Sequence, residues 1–305
     1  MPWKIYFPVG FANFLPLLPK FFFILFFFLF LSKAQSYERI ISLKPNLTEI
    51  LFALGVGNKI VGVTTYCDYP PEAKKIDKVS DYLQPDLEKL LAKSPDLIIT
   101  STENSSRREI DYLRRKGYRV LTYQTDTLSQ LRETLLALGT ELNKPQEAQK
   151  ILAEFDAELL DLQNKVAQLK KQNISWVAPR TLFIVGEHPL IVAGSGNMLN
   201  DIAPYLGLQN GVKESRLKYP NYSIEQVYAM APQYILDFSM GSEASKRAQQ
   251  EAQEELEKLR GVPAIQNKQI YFWDIGTLRA SPRLPRELHK LFDAIHGRAE
   301  FRSQP

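Results

Sequence analysis

The residues whose type and spacing suggest chemistry are aromatic loops and a matched pair of glutamates. Tyr66 and Tyr69 stand in TTYCDYPPEA, just after a strand-like run. Tyr82 precedes Glu88 by six positions, and Tyr219 and Tyr222 precede Glu225 by six and three. Trp273 and Asp274 end the last strand-like run, ahead of LRASPR (Leu278 to Arg283). Tyr and Trp present broad apolar faces with a polar tip, which suits a large, flat, partly apolar ligand whose rim takes hydrogen bonds. Glu88 and Glu225 each fall in the first turn of a helix behind Asp86 or Ser223 as N-cap. The helix dipole there stabilises a negative charge by roughly 0.3–1 kcal/mol. Their equivalent positions also suit paired acidic pegs for a two-fold symmetric basic partner.

Catalytic templates are poorly served. The sequence has no GxSxG, no Walker A loop, no HExxH and no GxGxxG, and Gly194-Ser195-Gly196 reads as a tight turn. Its three histidines, His188, His289 and His296, lack the spacing of a metal site. Cys67 is the single cysteine, so the chain forms no internal disulfide and its parts are held by packing. No enzyme activity, resident cofactor or metal is expected.

The formal charge is +4, of which Lys4, Lys20 and Lys33 supply three; without residues 1–34, which hold no acid, the chain stands near +1. That balance gives no reason to expect nucleic acid, and the basic run Arg107 to Arg119 reads as a solvated helix face. Residues 1–34 differ in composition from the rest. After Lys4 and Lys20 comes FFFILFFFLFL (Phe21 to Leu31), then Ser32-Lys33-Ala34. A membrane span needs about 20 apolar residues, so this shorter run fits a signal peptide, with an uncleaved anchor as the alternative.

The elements that must position these loops alternate. Strand-like runs at Glu38 to Leu43, Lys59 to Thr65, Asp96 to Thr100 and Arg119 to Tyr123 are separated by helical runs. They predict a parallel sheet covered on both faces. The run from Pro145 to Gln172 holds no Gly, and Ala148, Leu152, Phe155, Leu159, Leu162, Val166 and Leu169 repeat at 4-3 spacing. It predicts one rigid helix of about 40 Å, a spine between two lobes or a coiled-coil partner seam. Beyond it the alternation resumes: Thr181 to Val185, Leu190 to Gly194, Tyr234 to Phe238 and Gln269 to Asp274 are strand-like. Glu243 to Leu259 and Pro285 to His296 are helical. The expected organisation is a signal at 1–34, an N-terminal α/β lobe at 35–144, the linking helix at 145–172, a C-terminal α/β lobe at 173–297, and a tail at 298–305.

One internal similarity links the lobes. DLEKLLAKSPDLIIT (Asp86 to Thr100) aligns without gaps on SIEQVYAMAPQYILD (Ser223 to Asp237), with Glu88 on Glu225 and Pro95 on Pro232. Two similar lobes with parallel central sheets predict a ligand cleft between them.

The stretches ISLKPNLTEILFALGVG, VGVTTYCDYPPEA, DLEKLLAKSPDLII, SIEQVYAMAPQ and RASPR resemble the periplasmic binding proteins of ABC importers for vitamin B12, haem and ferric siderophores, the B12-binding members most of all. The resemblance runs from about Glu38 to Gly297. It implies two α/β lobes bridged by one long helix, capture of a corrinoid without catalysis, and delivery to importer permease subunits, the free protein being an exported, periplasmic monomer. Haem or a ferric siderophore is the alternative ligand, and a metal chelatase-type enzyme the remoter one. It further implies ligand-facing roles for Pro45, Tyr66, Tyr82, Tyr219, Asp274 and Arg279, and permease-docking roles for Glu88 and Glu225. The B12-binding members have Trp where this chain has Tyr82 and Tyr219, another Trp near Ser101, and a disulfide that one cysteine cannot make.

Overall fold

A computed structural model describes residues 36–81, 84–102, 107–172, 175–213, 215–239 and 259–297. The expected signal segment, Tyr82, the tail, and the helix expected over Glu243 to Leu259 (apart from Leu259) lie outside the described residues.

The first lobe is a five-stranded sheet in the order β3-β2-β1-β4-β5, formed by β1 (Ile40–Ser42), β2 (Ile60–Thr64), β3 (Lys78–Ser80), β4 (Leu97–Ser101) and β5 (Val120–Tyr123). All its pairings are parallel, with Ile40 opposite Ile60 and Leu97, and Ile98 opposite Val120. Every residue of β1 and β4 is buried, as expected of central strands packed on both faces. Helices α1 (Pro45–Ala53), α2 (Leu87–Ala92) and α3 (Arg107–Arg115) lie between its strands, and α4 (Leu128–Glu141) follows β5.

The linking helix α5 spans Pro145–Gln172. Its seam residues Ala148, Phe155, Leu159, Leu162 and Val166 are buried, against α4 on one side and the last helix, α9 (Leu284–His296), on the other. These side chains belong to one apolar cluster that also holds Ile40 and Leu47 of the first lobe and Phe183, Phe238 and Leu288 beyond the helix. Each fully buried Leu or Phe contributes about 1.5–3 kcal/mol, so the seam is spent on the interior and not kept for a coiled-coil partner. Close approach depends on Gly139 of α4: a Cβ there would lie 2.4 Å from the Cβ of Ala148.

The second sheet departs from the expectation of a parallel one. It runs β10-β9-β6-β7, from β6 (Arg180–Gly186), β7 (Ile191–Val192), β9 (Tyr234–Asp237) and β10 (Ile270–Phe272), with β8 (Gln209–Asn210) beside the start of β6. The β6–β9, β6–β8 and β9–β10 pairs are parallel, but β7 is antiparallel to β6. Only Glu187 to Leu190 join β6 to β7. A link that short closes a hairpin, because a parallel return needs a dozen or more residues. Helices α6 (Met198–Ile202), α7 (Ile224–Met230) and α8 (Pro263–Gln266) complete the second lobe.

The repeated segments fold alike. Asp86 caps α2 by accepting from the Lys89 amide at 3.1 Å, and Ser223 caps α7 in a reciprocal box with Gln226. Each helix then leads through a left-handed non-glycine residue, Ser94 (φ 46°) or Ala231 (φ 47°), and a proline into a parallel strand.

Candidate ligand site between the lobes

The carboxyl ends of the parallel strands carry the loops that border a crevice in open α/β sheets. Pro45 is buried at the first position of α1, just past the end of β1. Asn46, beside it, donates from Nδ2 to Thr125 Oγ1 at 2.7 Å, tying α1 to the loop after β5. Tyr66 follows β2 and is 55% exposed. The neighbouring Cys67 is buried, its Sγ 3.2 Å from the hydroxyls of Thr48 and Thr64, a packing role.

Asp274 follows β10, and its Oδ1 accepts the Gly276 amide at 2.7 Å. Trp273 donates from Nε1 to Thr277 Oγ1 at 2.9 Å, and Thr277 donates to the Asp274 carbonyl at 2.7 Å, which fixes the turn. Gly276 keeps the space between two expected site residues open. A Cβ at this position would lie 3.0 Å from Asp274 Oδ1 and 3.6 Å from Arg279 Nη2. The turn therefore holds an acceptor edge and a donor edge side by side.

Arg279 is tied across the molecule. Its Nη1 donates to Asp68 Oδ1 in the loop after β2, and lies 3.4 Å from Glu49 Oε1 on α1. Glu49 is only 4% exposed, an expensive place for a charge unless it is paired. It accepts from Ser281 Oγ at 2.6 Å, Arg283 Nε at 2.7 Å and Arg283 Nη2 at 3.1 Å. Arg283 also donates to the Gly276 carbonyl at 2.7 Å, and its guanidinium sits 4.5 Å from the centre of the Tyr69 ring. Arg286 donates to the Tyr69 hydroxyl at 3.1 Å. The stretches TTYCDYPPEA and RASPR thus meet each other, with α1 between them. Burial raises the Asp68 pKa, but the hydrogen bond and charge of Arg279 outweigh it and hold the carboxyl below its usual range. Burial lowers the Arg279 pKa, but Asp68 and Glu49 more than offset this, so its charge is secure.

Of the expected ligand-facing residues, Asp274 and Arg279 are brought together, and Asp68 and Glu49 tie Arg279 to the elements bearing Tyr66 and Pro45. Tyr219, 46% exposed, stands on a separate loop, where Lys218 pairs with Asp126 after β5. Glu88 and Glu225 are exposed in the first turns of α2 and α7, outside this cluster. The Ser223 hydroxyl and the backbone lower the Glu225 pKa. His296 is a packing residue, its Nε2 2.8 Å from the Leu206 carbonyl oxygen and its ring against Phe292.

Sequence reasoning missed Glu49, Asp68, Ser281 and Arg283. The available signal was a glutamate inside PNLTEILFA, a helix otherwise built to be buried, which demands a distant cationic partner. Another missed group is Asp237 at the end of β9. Its Oδ1 accepts the Ser239 amide at 2.8 Å and hydroxyl at 2.6 Å, while Oδ2 has no hydrogen-bond partner among the described residues. Burial pushes its pKa up despite those bonds, with help from the nearby charge of Glu187.

The periplasmic binding protein family model matches residues 40–275. A vitamin B12-binding protein of Vibrio cholerae is 35% identical over 205 residues, covering 67% of this chain and 72% of that protein. The vitamin B12-binding protein of Salmonella typhimurium is 30% identical over 257 residues, 84% and 90% of the two chains. The crystal structure of a periplasmic vitamin B12 binding protein of Vibrio cholerae matches with a TM-score of 0.70 at 31% identity, covering 84% of this chain and 96% of that one. A periplasmic heme binding protein from Pseudomonas aeruginosa matches with a TM-score of 0.76 at 26% identity, over 88% and 96%.

Proposed function

This chain belongs to the periplasmic binding protein family, and from that premise we propose that it captures a corrinoid between its lobes and delivers it to an ABC importer permease. The observation that carries the choice of ligand is the Asp274–Gly276–Arg279 turn. A carboxylate acceptor and a guanidinium donor flanking one glycine complement a carboxamide, which offers both an N–H and a carbonyl oxygen. A corrinoid rim is dense in carboxamides. Pro45, Tyr66, Tyr82 and Tyr219 are assigned to packing against the ring, and Glu88 and Glu225 to docking on permease cations. The protein acts outside the cytoplasmic membrane after export, as a monomer, and performs no reaction on its cargo.

A second reading takes haem or a ferric siderophore as cargo. It is favoured by the exposure of Tyr66 at the strand end, since a phenolate oxygen can ligate ferric iron. Calorimetric titration with cyanocobalamin, haemin and a ferric siderophore in parallel separates the readings. Saturable one-to-one binding of cyanocobalamin with the highest affinity is the expected result. Binding of none of the three would overturn the transport reading as a whole.

A further inference from the structure

Arg279 carries the positive charge of the carboxamide-reading turn, and the way that charge is neutralised has a consequence for selectivity. Both of its carboxylate contacts leave from Nη1, to Asp68 and to Glu49. The Glu49 contact is the looser one, at 3.4 Å, because that carboxylate is already engaged by Ser281 and twice by Arg283. The Asp68 side chain is 51% exposed, so it takes no part in sealing the interior. Nη2 stays on the Gly276 side, next to Asp274.

We propose that Asp68 is a specificity-determining residue: by neutralising Arg279 from behind, it leaves the guanidinium a directional hydrogen-bond donor with little net charge to offer. Such a donor serves an uncharged carboxamide oxygen as well as a free arginine would. It gives no added attraction to the carboxylates of haem or of carboxylate-bearing siderophores, which Asp274 beside it repels. Selection for a neutral, amide-rimmed ring over an anionic one then lies in a residue that need not touch the ligand. This inference rests on the corrinoid reading for its biological meaning, but not for its test.

The test is Asp68→Asn, which keeps the size and an oxygen acceptor for Arg279 and removes the charge. Dissociation constants are measured for cyanocobalamin, haemin and haemin dimethyl ester, the last two sharing the ferric ring and differing in that methyl esters replace the ionisable carboxylates. In the variant, haemin should tighten about fiftyfold, the scale of one unit charge acting over about 7 Å at an effective near-surface dielectric of about 20. Cyanocobalamin and the dimethyl ester should stay within about twofold, and the haemin gain should shrink in high salt. A purely structural role would move all three ligands alike, and that result overturns the proposal, as does an unchanged haemin affinity. If the parent protein binds haemin but not cyanocobalamin, the corrinoid reading falls, while the contrast between haemin and its ester still decides the role of Asp68. Absence of binding to all three overturns both.

Discussion

Replacing Glu49 with Gln should loosen the junction between the lobes without touching either sheet. The carboxylate accepts from Ser281 and twice from Arg283 at 2.6–3.1 Å, and it is 4% exposed. Gln keeps the shape and one acceptor, but turns an amide N–H₂ toward guanidinium donors and leaves Arg283 without its carboxylate. The Arg283 side chain is itself only 12% exposed, so solvent compensates little. Breaking a buried pair from one side costs about 3–5 kcal/mol, and the acceptor retained by Gln places this case near about 3 kcal/mol. For a chain of this size that corresponds to a fall in Tm of about 5 °C by circular dichroism. The orphaned charge is the source of the cost, so adding Arg283→Met should make the double variant no less stable than Glu49→Gln alone. A Glu49→Gln shift below about 2 °C, or two costs that simply add, would refute the reasoning.

Two further outcomes follow from the geometry. Asp237→Asn should stabilise the protein at pH 7–8 and do little near pH 3: the folded-state pKa of Asp237 is raised, so the folded state holds its proton longer and stability falls as pH rises between the unfolded and folded values. Chemical denaturation across that pH range checks this, and a loss of stability at neutral pH would mean that the ionised carboxylate is wanted there. Reversing Glu88 and Glu225 to Lys together should abolish uptake in cells and leave the ligand dissociation constant unchanged, because both side chains are exposed and outside the Arg279 cluster; a matching fall in affinity would remove them from the docking role.

Much of the architecture is legible in local pattern. The 4-3 spacing of α5 gives its length and its buried seam, and the Ser223 and Asp86 caps give the starts of α7 and α2. What escapes notice is either too short to show a period, as with the three residues of β3 and the two of β8, or set by connection length, as with the reversed β7. The candidate site was half legible. Asp274 and Arg279 lie close in sequence and in space, but their supports do not: Arg279 meets Asp68 across 211 positions, and Arg283 meets Glu49 across 234. No periodicity reports a contact of that separation. Only the oddity of a charge in the apolar helix α1 points to it.

That separation also sets an order of events in the making of the protein. Glu49 leaves the ribosome 234 residues before Arg283, a delay of about 10–50 s at ordinary translation rates. Over that interval Glu49 lacks Arg283, and once α5 is made its seam lacks the face that Leu288 and Leu291 of α9 will cover. The chain is therefore expected to leave this apolar seam uncovered until its last helix is in place. A truncation before α9 is expected to yield a sticky, protease-sensitive intermediate in place of a smaller binding protein.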